Sequence, residues 1–320
     1  MRSSSANACL CVFLLVVPAG AGLAQTYPGK PIRMIIPAGA GGTVDTIGRL
    51  IGPKLSEALG QPVVADNRPG AGTMVGSELL AKSPPDGHAI LMMTNSHAIN
   101  ASLHKQLPYD PVKDFGPVIL VATSPYLVVI HPSVPAKSIK ELIAVARQRP
   151  GQLNFSSAGT GSGTHLAGEL FKYLAKIDIV HVPYKGGSAA QIGLASGEVG
   201  IMFSGPIASA ALRKANRVRA LAITSAKRAP TLPDLPTVAE AGVPGYESGS
   251  WYGVVVPGRT PAAIVTRLNQ EIGKIMKMKD VQSRIERLGA DATGTTPGEF
   301  AALLESDIAR WARIIPAIGL

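Results

Sequence analysis

The chain has 320 residues, with 31 Lys and Arg against 21 Asp and Glu for a net charge of +10, and is 46% hydrophobic but only 16% charged. That composition excludes an intrinsically disordered or low-complexity chain, and the length points to two domains. The basic residues are scattered, as at Arg147, Arg213, Lys214, Arg217 and Arg219, with no long Lys/Arg block and no aromatic interleaving, so no nucleic-acid partner is expected.

Arg2 precedes an apolar run over residues 8–17, followed by Pro18 and the small-residue stretch Gly22-Leu-Ala24. This reads as a secretory signal (residues 1–24) cleaved after Ala24, and the run is too short to span a bilayer. Both cysteines, Cys9 and Cys11, lie inside that signal. The chain beyond it therefore offers no disulfide, no thiol nucleophile and no cysteine-ligated zinc. The expected address is a bacterial periplasm.

From Tyr27 onward, short β-rich runs alternate with amphipathic stretches, the pattern of parallel strands joined by crossover helices and hence of an α/β fold. A strand over 32–36 leads through a glycine-rich turn into a helix with Ile47, Leu50, Ile51, Leu55 and Leu59 on one face and Gly60 as its stop. Further strands are predicted over 63–65, 89–93 and 118–122. Ser138 and Glu141 form a predicted capping box for a helix burying Leu142, Ile143 and Ala146. A second strand, glycine turn and helix follow: 153–156, Gly159 to Gly163, then Leu166, Leu170, Phe171 and Leu174. Late in the chain, Thr260-Pro261 and Thr296-Pro297 each predict an N-cap with proline at the first helical position, with Glu299 completing a box at Thr296. Extended runs over 126–130 and 251–256 are predicted to cross between domains as a paired hinge. Lobe 1 would then comprise 25–125 and 254–320, and lobe 2 residues 126–253.

The strongest chemical signal is the pair of glycine loops at helix starts. In Pro37-Ala-Gly-Ala-Gly41-Gly42-Thr43-Val-Asp45, bare backbone N–H groups meet a helix N-terminus, where orphan donors and the helix dipole favour an anion. Ser157-Ala-Gly159-Thr160-Gly161-Ser162-Gly-Thr164 repeats this and adds hydroxyls. Asp45 reads equally as a cap that competes for those N–H groups or as a ligand contact. Tyr184 and Lys185 follow a strand, with Lys185 either countering an anion or lying in solvent. Asn95 and Ser96 follow the strand ending at Met93, at the carboxyl edge where ligands bind in parallel sheets.

Other patterns fail. Gly70-Ala-Gly72 through Gly76 lacks the acidic partner of a dinucleotide site, no Walker lysine follows a glycine loop, and Ser162 lacks the GxSxG elbow. The six histidines show no HxxxH or HExxH spacing. No metal, cofactor or catalytic residue is expected, and a lone histidine such as His97 reads as a hydrogen-bonding or surface group.

Taken together, the loops resemble the substrate-binding proteins of tripartite tricarboxylate transporters, the Bug family. The matching pieces are Tyr27-Pro-x-Lys-Pro-Ile-Arg33, the PxxxGGxxD loop from Pro37, Asn67-Arg-Pro-Gly-Ala-Gly72, Asp86-Gly-His-Ala, Tyr109-Asp-Pro-Val-Lys-Asp-Phe115, Asn154-Phe-Ser-Ser with Thr164-His-Leu, Val182-Pro-Tyr-Lys-Gly186, and the Leu232-to-Gly242 segment. They follow the family's order over nearly the whole chain beyond the signal.

The resemblance implies a two-lobed periplasmic-binding-protein (Venus flytrap) fold without catalysis. Such a receptor binds a small organic carboxylate, which in the family is a di- or tricarboxylate, an aromatic acid or an acidic amino acid. It then delivers that ligand to inner-membrane permease subunits. Carried over by position, the carboxylate contacts fall on Gly41, Gly42, Thr43 and Asp45 and, across the cleft, on Ser157, Gly159, Gly161 and Thr164. Three departures stand out. Ala38 follows the first loop's proline where the family often has Phe, which implies a less bulky wall there. The family's Pro-Ala pair and helical aspartate are replaced by Ser188-Ala-Ala-Gln-Ile-Gly193, and its acidic residue after Met-Phe by Ser204. If the family's aspartate repels or orients part of a ligand, losing it would relax selection against a distal carboxylate. A monomer is expected. The alternatives are a sensory adaptor or an exported hydrolase using Ser157 or Ser162.

Overall fold

The computed structural model describes residues 27–206, 208–229 and 232–320, so the predicted signal lies outside the described residues. Two mixed sheets are each flanked by helices, giving a two-lobed α/β protein.

The first half of the chain contributes β1 (Ile32–Ile36), α1 (Thr43–Leu59), β2 (Val63–Asn67), α2 (Met74–Ala81), β3 (Ala89–Thr94), α3 (Ser96–Leu103) and β4 (Phe115–Pro125). The middle contributes β5 (Leu127–Ile130), α4 (Ile139–Gln148), β6 (Asn154–Ser157), α5 (Gly163–Ala175), β7 (Val180–Pro183), α6 (Gly187–Ser196), β8 (Ile201–Ser204), α7 (Ala210–Lys214) and β9 (Arg219–Ile223). The chain ends with β10 (Gly249–Pro257), α8 (Ala262–Met276), α9 (Lys279–Arg287), β11 (Asp291–Ala292) and α10 (Pro297–Ala317).

The first sheet runs β11-β4-β10-β3-β1-β2 and the second β7-β6-β8-β5-β9. The parallel pairing of the crossover-linked strands does not extend to the crossing strands. β10 is antiparallel to β3 and β4, and β5 is antiparallel to β8 and β9. A segment that leaves one sheet to enter the other, and a second that brings the chain back, run opposite to the crossover-linked strands beside them. β10 pairs with β4 from Gly249↔Pro125 onward, so residues 249–253, assigned to lobe 2 by the sequence, belong to the first sheet.

Local signals explain most helix ends. Gly60 closes α1 in the left-handed conformation at φ 70°, which a Cβ would penalise. Thr296 and Glu299 form the reciprocal box that starts α10. At α4 the box is half formed: Ser138 accepts from the Glu141 N–H, while the Glu141 carboxylate accepts from Lys137 N. Thr260 does not cap α8; Pro261 occupies the cap position and the Thr260 hydroxyl is buried without a protein partner among the described residues. Helix α9 carries no start signal that periodicity detects, because it is short and buries only Val281 and Ile285.

The cores follow the predicted faces. Ile47, Ile51 and Leu55 of α1 pack with Ile32, Met34 and Ile36 beneath α8, whose Leu268, Ile272 and Ile275 are buried. Leu142, Ala146, Phe155, Leu170 and Phe171 fill the second lobe. Burial of each such side chain contributes about 1.5–3 kcal/mol. His97 is a core residue, 1% exposed, with Nε2 2.9 Å from the Pro111 carbonyl and its ring against Tyr109 and Phe115.

Candidate functional site

The loop ahead of α1 turns through Gly41 at φ 83°, a conformation open to glycine, and presents Gly41, Gly42 and Thr43 at the helix start. Gly42 occupies the cap position without a side chain, so the first helical N–H groups are left for another acceptor. Asp45 faces inward and is 3% exposed. Its Oδ2 accepts from Gly41 N at 2.9 Å, while Oδ1 accepts from Arg49 Nε at 2.9 Å and Asn67 Nδ2 at 2.8 Å. Burial works against its ionisation, but the Gly41, Asn67 and Arg49 donors outweigh burial and hold the carboxyl below the usual range. Asn67 Nδ2 also reaches the Ala38 carbonyl at 2.9 Å, tying the far side of the loop to the same carboxylate.

Across the cleft, Ser162 caps α5 by accepting from His165 N and donates to the Gly159 carbonyl at 2.6 Å. Thr164 Oγ1 accepts from Ala158 N at 3.0 Å. The loop is held from beneath by two histidines. His165 Nδ1 accepts from Gly161 N at 3.2 Å, and His181 Nε2 lies 2.7 Å from Ser157 Oγ, which also accepts from Gly159 N. The two imidazoles stack at 3.9 Å, and burial first, with nearby positive charge, pulls both down to about 4. Two neutral rings therefore support the loop at pH 7.

These elements meet in an inter-lobe cavity of about 510 Å³. Gly41, Gly42, Thr43, Asn95, Ser96, Ser162, Thr164 and Ser204 line it. Asp45, Ser157, Gly159, Thr160, Gly161, Tyr184 and Lys185 do not line it. Ser157 is fully buried, Thr160 and Lys185 are exposed, and Gly161 packs against Leu103. The starts of α1, α3, α5 and α6 all border this cavity, through Thr43, Ser96, Thr164 and Ser188. Among the described residues that line it, none carries a formal charge. An anion there would be held by backbone N–H groups, hydroxyls and helix dipoles without a counter-ion.

Sequence reasoning missed Thr73, Ser124, Gln191 and Ser250 in the wall. Thr73 is hard to anticipate because the turn at Ala71–Thr73 holds three successive positive φ angles, two of them in non-glycine residues. Ser250 enters because it lies on β10, where it donates to Asn95 Oδ1 at 3.0 Å across 155 residues of sequence.

The family model described as "tripartite tricarboxylate transporter family receptor" (TctC) matches residues 47–320. The chain belongs to the TctC family. It is 41% identical over 91% of its length to a UPF0065 protein from the tcbD-tcbE intergenic region of Pseudomonas sp. strain P51, covering 87% of that protein. It is 35% identical to the protein BugT of Bordetella pertussis, with 92% and 91% of the two chains covered. Among solved structures, the R. palustris protein Rpa4515 with adipate superposes with a TM-score of 0.85 at 39% identity, covering 92% of this chain and 98% of that one. MatC from Rhodopseudomonas palustris with bound malate superposes at 0.82 and 31% identity, covering 90% and 100%.

Gln191, in the run Ser188 to Gly193, and Ser204 are neighbours in space. Gln191 Nε2 on α6 donates to Ser204 Oγ at the end of β8, at 3.4 Å, and both side chains line the cleft. This end of the cleft therefore presents a neutral amide and a hydroxyl.

Proposed function

We propose that this TctC-family receptor is an exported, periplasmic protein that captures a small aliphatic dicarboxylate between its lobes and delivers it to the permease subunits of a tripartite tricarboxylate transporter. The observation that carries the reading is the uncharged cleft bordered by four helix starts, two from each lobe. One carboxylate rests on the N–H groups and hydroxyl at Gly41, Gly42 and Thr43 together with Ser162 and Thr164 across the cleft. The second reaches the neutral end at Ser188, Gln191 and Ser204, where an acidic side chain would repel it. Adipate and malate bound to similar receptors fit this chemistry, and the cavity suits ligands of that size. Ser157, Gly159, Gly161 and Asp45 act here as supports that set the loop geometry, and Asn95 and Ser96 add donors from the lobe 1 wall.

Micromolar affinity requires a net of about −8 kcal/mol, within reach of several charge-assisted hydrogen bonds in a desolvated cleft. Isothermal titration of the refolded chain with adipate, malate and hexanoate tests the reading. Saturable binding of a dicarboxylate, weakened at least tenfold by Thr43→Val with Thr164→Val at unchanged circular dichroism, is the expected result. Equal affinity in that double variant would remove the two loops from the site. Delivery is tested by capture of permease subunits from membranes in the presence of the bound acid. Capture of a signalling protein instead would favour the adaptor role.

A further inference from the structure

A cavity of about 330 Å³ in lobe 2 is lined by Pro132, Arg213, Asn216, Val218, Arg219 and Ala220. Ser204, in the cleft wall, pairs with Leu127 at one end of β5, while Arg219 pairs with Ile130 at the other, so the length of β5 separates Arg219 from the cleft. Arg213 arrives on the last turn of α7, and Asn216 and Val218 on the turn from α7 into β9.

The charge around this cavity is one-sided. Between Glu198 and Asp234 the sequence has six Lys and Arg and no Asp or Glu. Two of the six, Arg213 and Arg219, border the cavity. Arg213 donates from Nη2 to the Pro206 carbonyl at 2.9 Å, and Arg219 from Nη1 to the Ala136 carbonyl at 2.8 Å. These neutral carbonyls hold the two side chains in place without cancelling either charge. Among the described residues neither arginine has a carboxylate within salt-bridge distance. Arg213 Nε is buried without an acceptor among the described residues, and burial, with no carboxylate to offset it, pulls that guanidinium below its ordinary range. Pro132, Val218 and Ala220 supply apolar surface, and a less polar surrounding strengthens the pull on an anion. Arg219 opens the edge strand β9, where a charge also discourages strand pairing, but that role needs neither a cavity nor a second guanidinium.

We propose that this cavity binds a phosphate-type oxyanion, either free phosphate or the phosphate of an anionic lipid headgroup. Guanidinium groups present planar forks that match phosphate oxygens, and the Asn216 amide adds neutral donors. A tetrahedral phosphate offers oxygens to both arginines at once, which a single carboxylate does not. The proposal does not rest on the carboxylate reading of the cleft.

The test is calorimetry of the refolded protein with inorganic phosphate, and with acetate, at constant ionic strength. Beside it, the protein is sedimented with vesicles of phosphatidylglycerol in phosphatidylcholine and with vesicles of phosphatidylcholine alone. Saturable phosphate binding, at least tenfold tighter than acetate, assigns the site to free phosphate. Sedimentation with the anionic vesicles alone, reversed by phosphate, assigns it to a lipid headgroup. Either result is lost at least tenfold in Arg219→Gln and in Arg213→Gln, at unchanged circular dichroism and melting temperature. Lys214→Gln removes an exposed charge beside Arg213 that does not line the cavity, and it changes either result less than twofold. Absence of both phosphate and vesicle binding, acetate binding as tight as phosphate, or equal losses in Lys214→Gln and Arg219→Gln overturns the site. Phosphate binding lost in Thr43→Val with Thr164→Val places the anion in the cleft and also overturns it.

Discussion

The Asp45 carboxylate accepts a hydrogen bond from the backbone N–H of Gly41 at 2.9 Å, so an acidic side chain at the start of α1 holds a loop offered to an anion. Because Asn67 and Arg49 bind the same carboxylate, its charge is directed away from the cleft and its donors are shared by the whole loop. Asp45→Ala removes the buried, charged acceptor that Gly41, Asn67 and Arg49 share and costs about 1–3 kcal/mol of stability. The melting temperature falls, and dicarboxylate affinity falls with it, since the loop loses its anchor. Calorimetry beside thermal unfolding checks both effects; full affinity in a destabilised variant would show that the loop keeps its shape without Asp45.

Gly163, at the first turn of α5, lies directly against the Tyr126 hydroxyl and the Asn95 amide, where a Cβ has no room. That contact joins the α5 start to the strand crossing and to the lobe 1 wall. Gly163→Ala is expected to leave each lobe folded but prevent close approach at this edge, lowering ligand affinity about tenfold or more. Solution scattering should show a more open molecule in the presence of ligand. A closed, full-affinity variant would mean that the neighbouring side chains move aside at no cost.

The Gln191–Ser204 pair makes ligand selection testable at one atom. Gln191→Glu keeps the shape of the partly exposed side chain and adds a negative charge to the cleft. Like charges in a desolvated space repel strongly, so adipate affinity should fall by more than tenfold while hexanoate affinity changes little. Parallel titrations decide it, and equal losses for the two acids would move the second carboxylate to another wall.

His97, His165 and His181 are each pulled down to about 4 by burial, in the last two helped by nearby positive charge. The unfolded chain takes up protons near pH 6.5 while the folded chain resists until about 4. Stability from these groups is therefore complete above 6.5, declines as pH falls from 6.5 to about 4, and is level below. For the almost fully buried His97 that decline is on the order of 3 kcal/mol. Protonating His165 also ends its acceptance of the Gly161 N–H, loosening the second loop. Melting temperatures should stay level from pH 8 to about 6.5 and fall from there to pH 5, and less so in His165→Asn; identical pH slopes for the two proteins below 6.5 would remove His165 from the effect.

The α/β alternation, the buried faces of α1, α4 and α5, the Gly60 stop and the Thr296 box were legible in the amino-acid sequence. Each depends on neighbours within about four positions, and residue type and spacing carry that information directly. The two glycine loops were legible for the same reason, since tight turns into helix starts are local events. Tertiary structure alone decided which way Asp45 points, because its partner Asn67 lies at the end of β2, 22 residues on. It also turned β10 antiparallel, brought Ser250 to Asn95, set Gln191 against Ser204, and put Trp251 and Tyr252 on opposite sides of the hinge. Those outcomes depend on pairings between distant segments, whose free energy comes from the packing of two lobes and leaves no periodic trace along the chain.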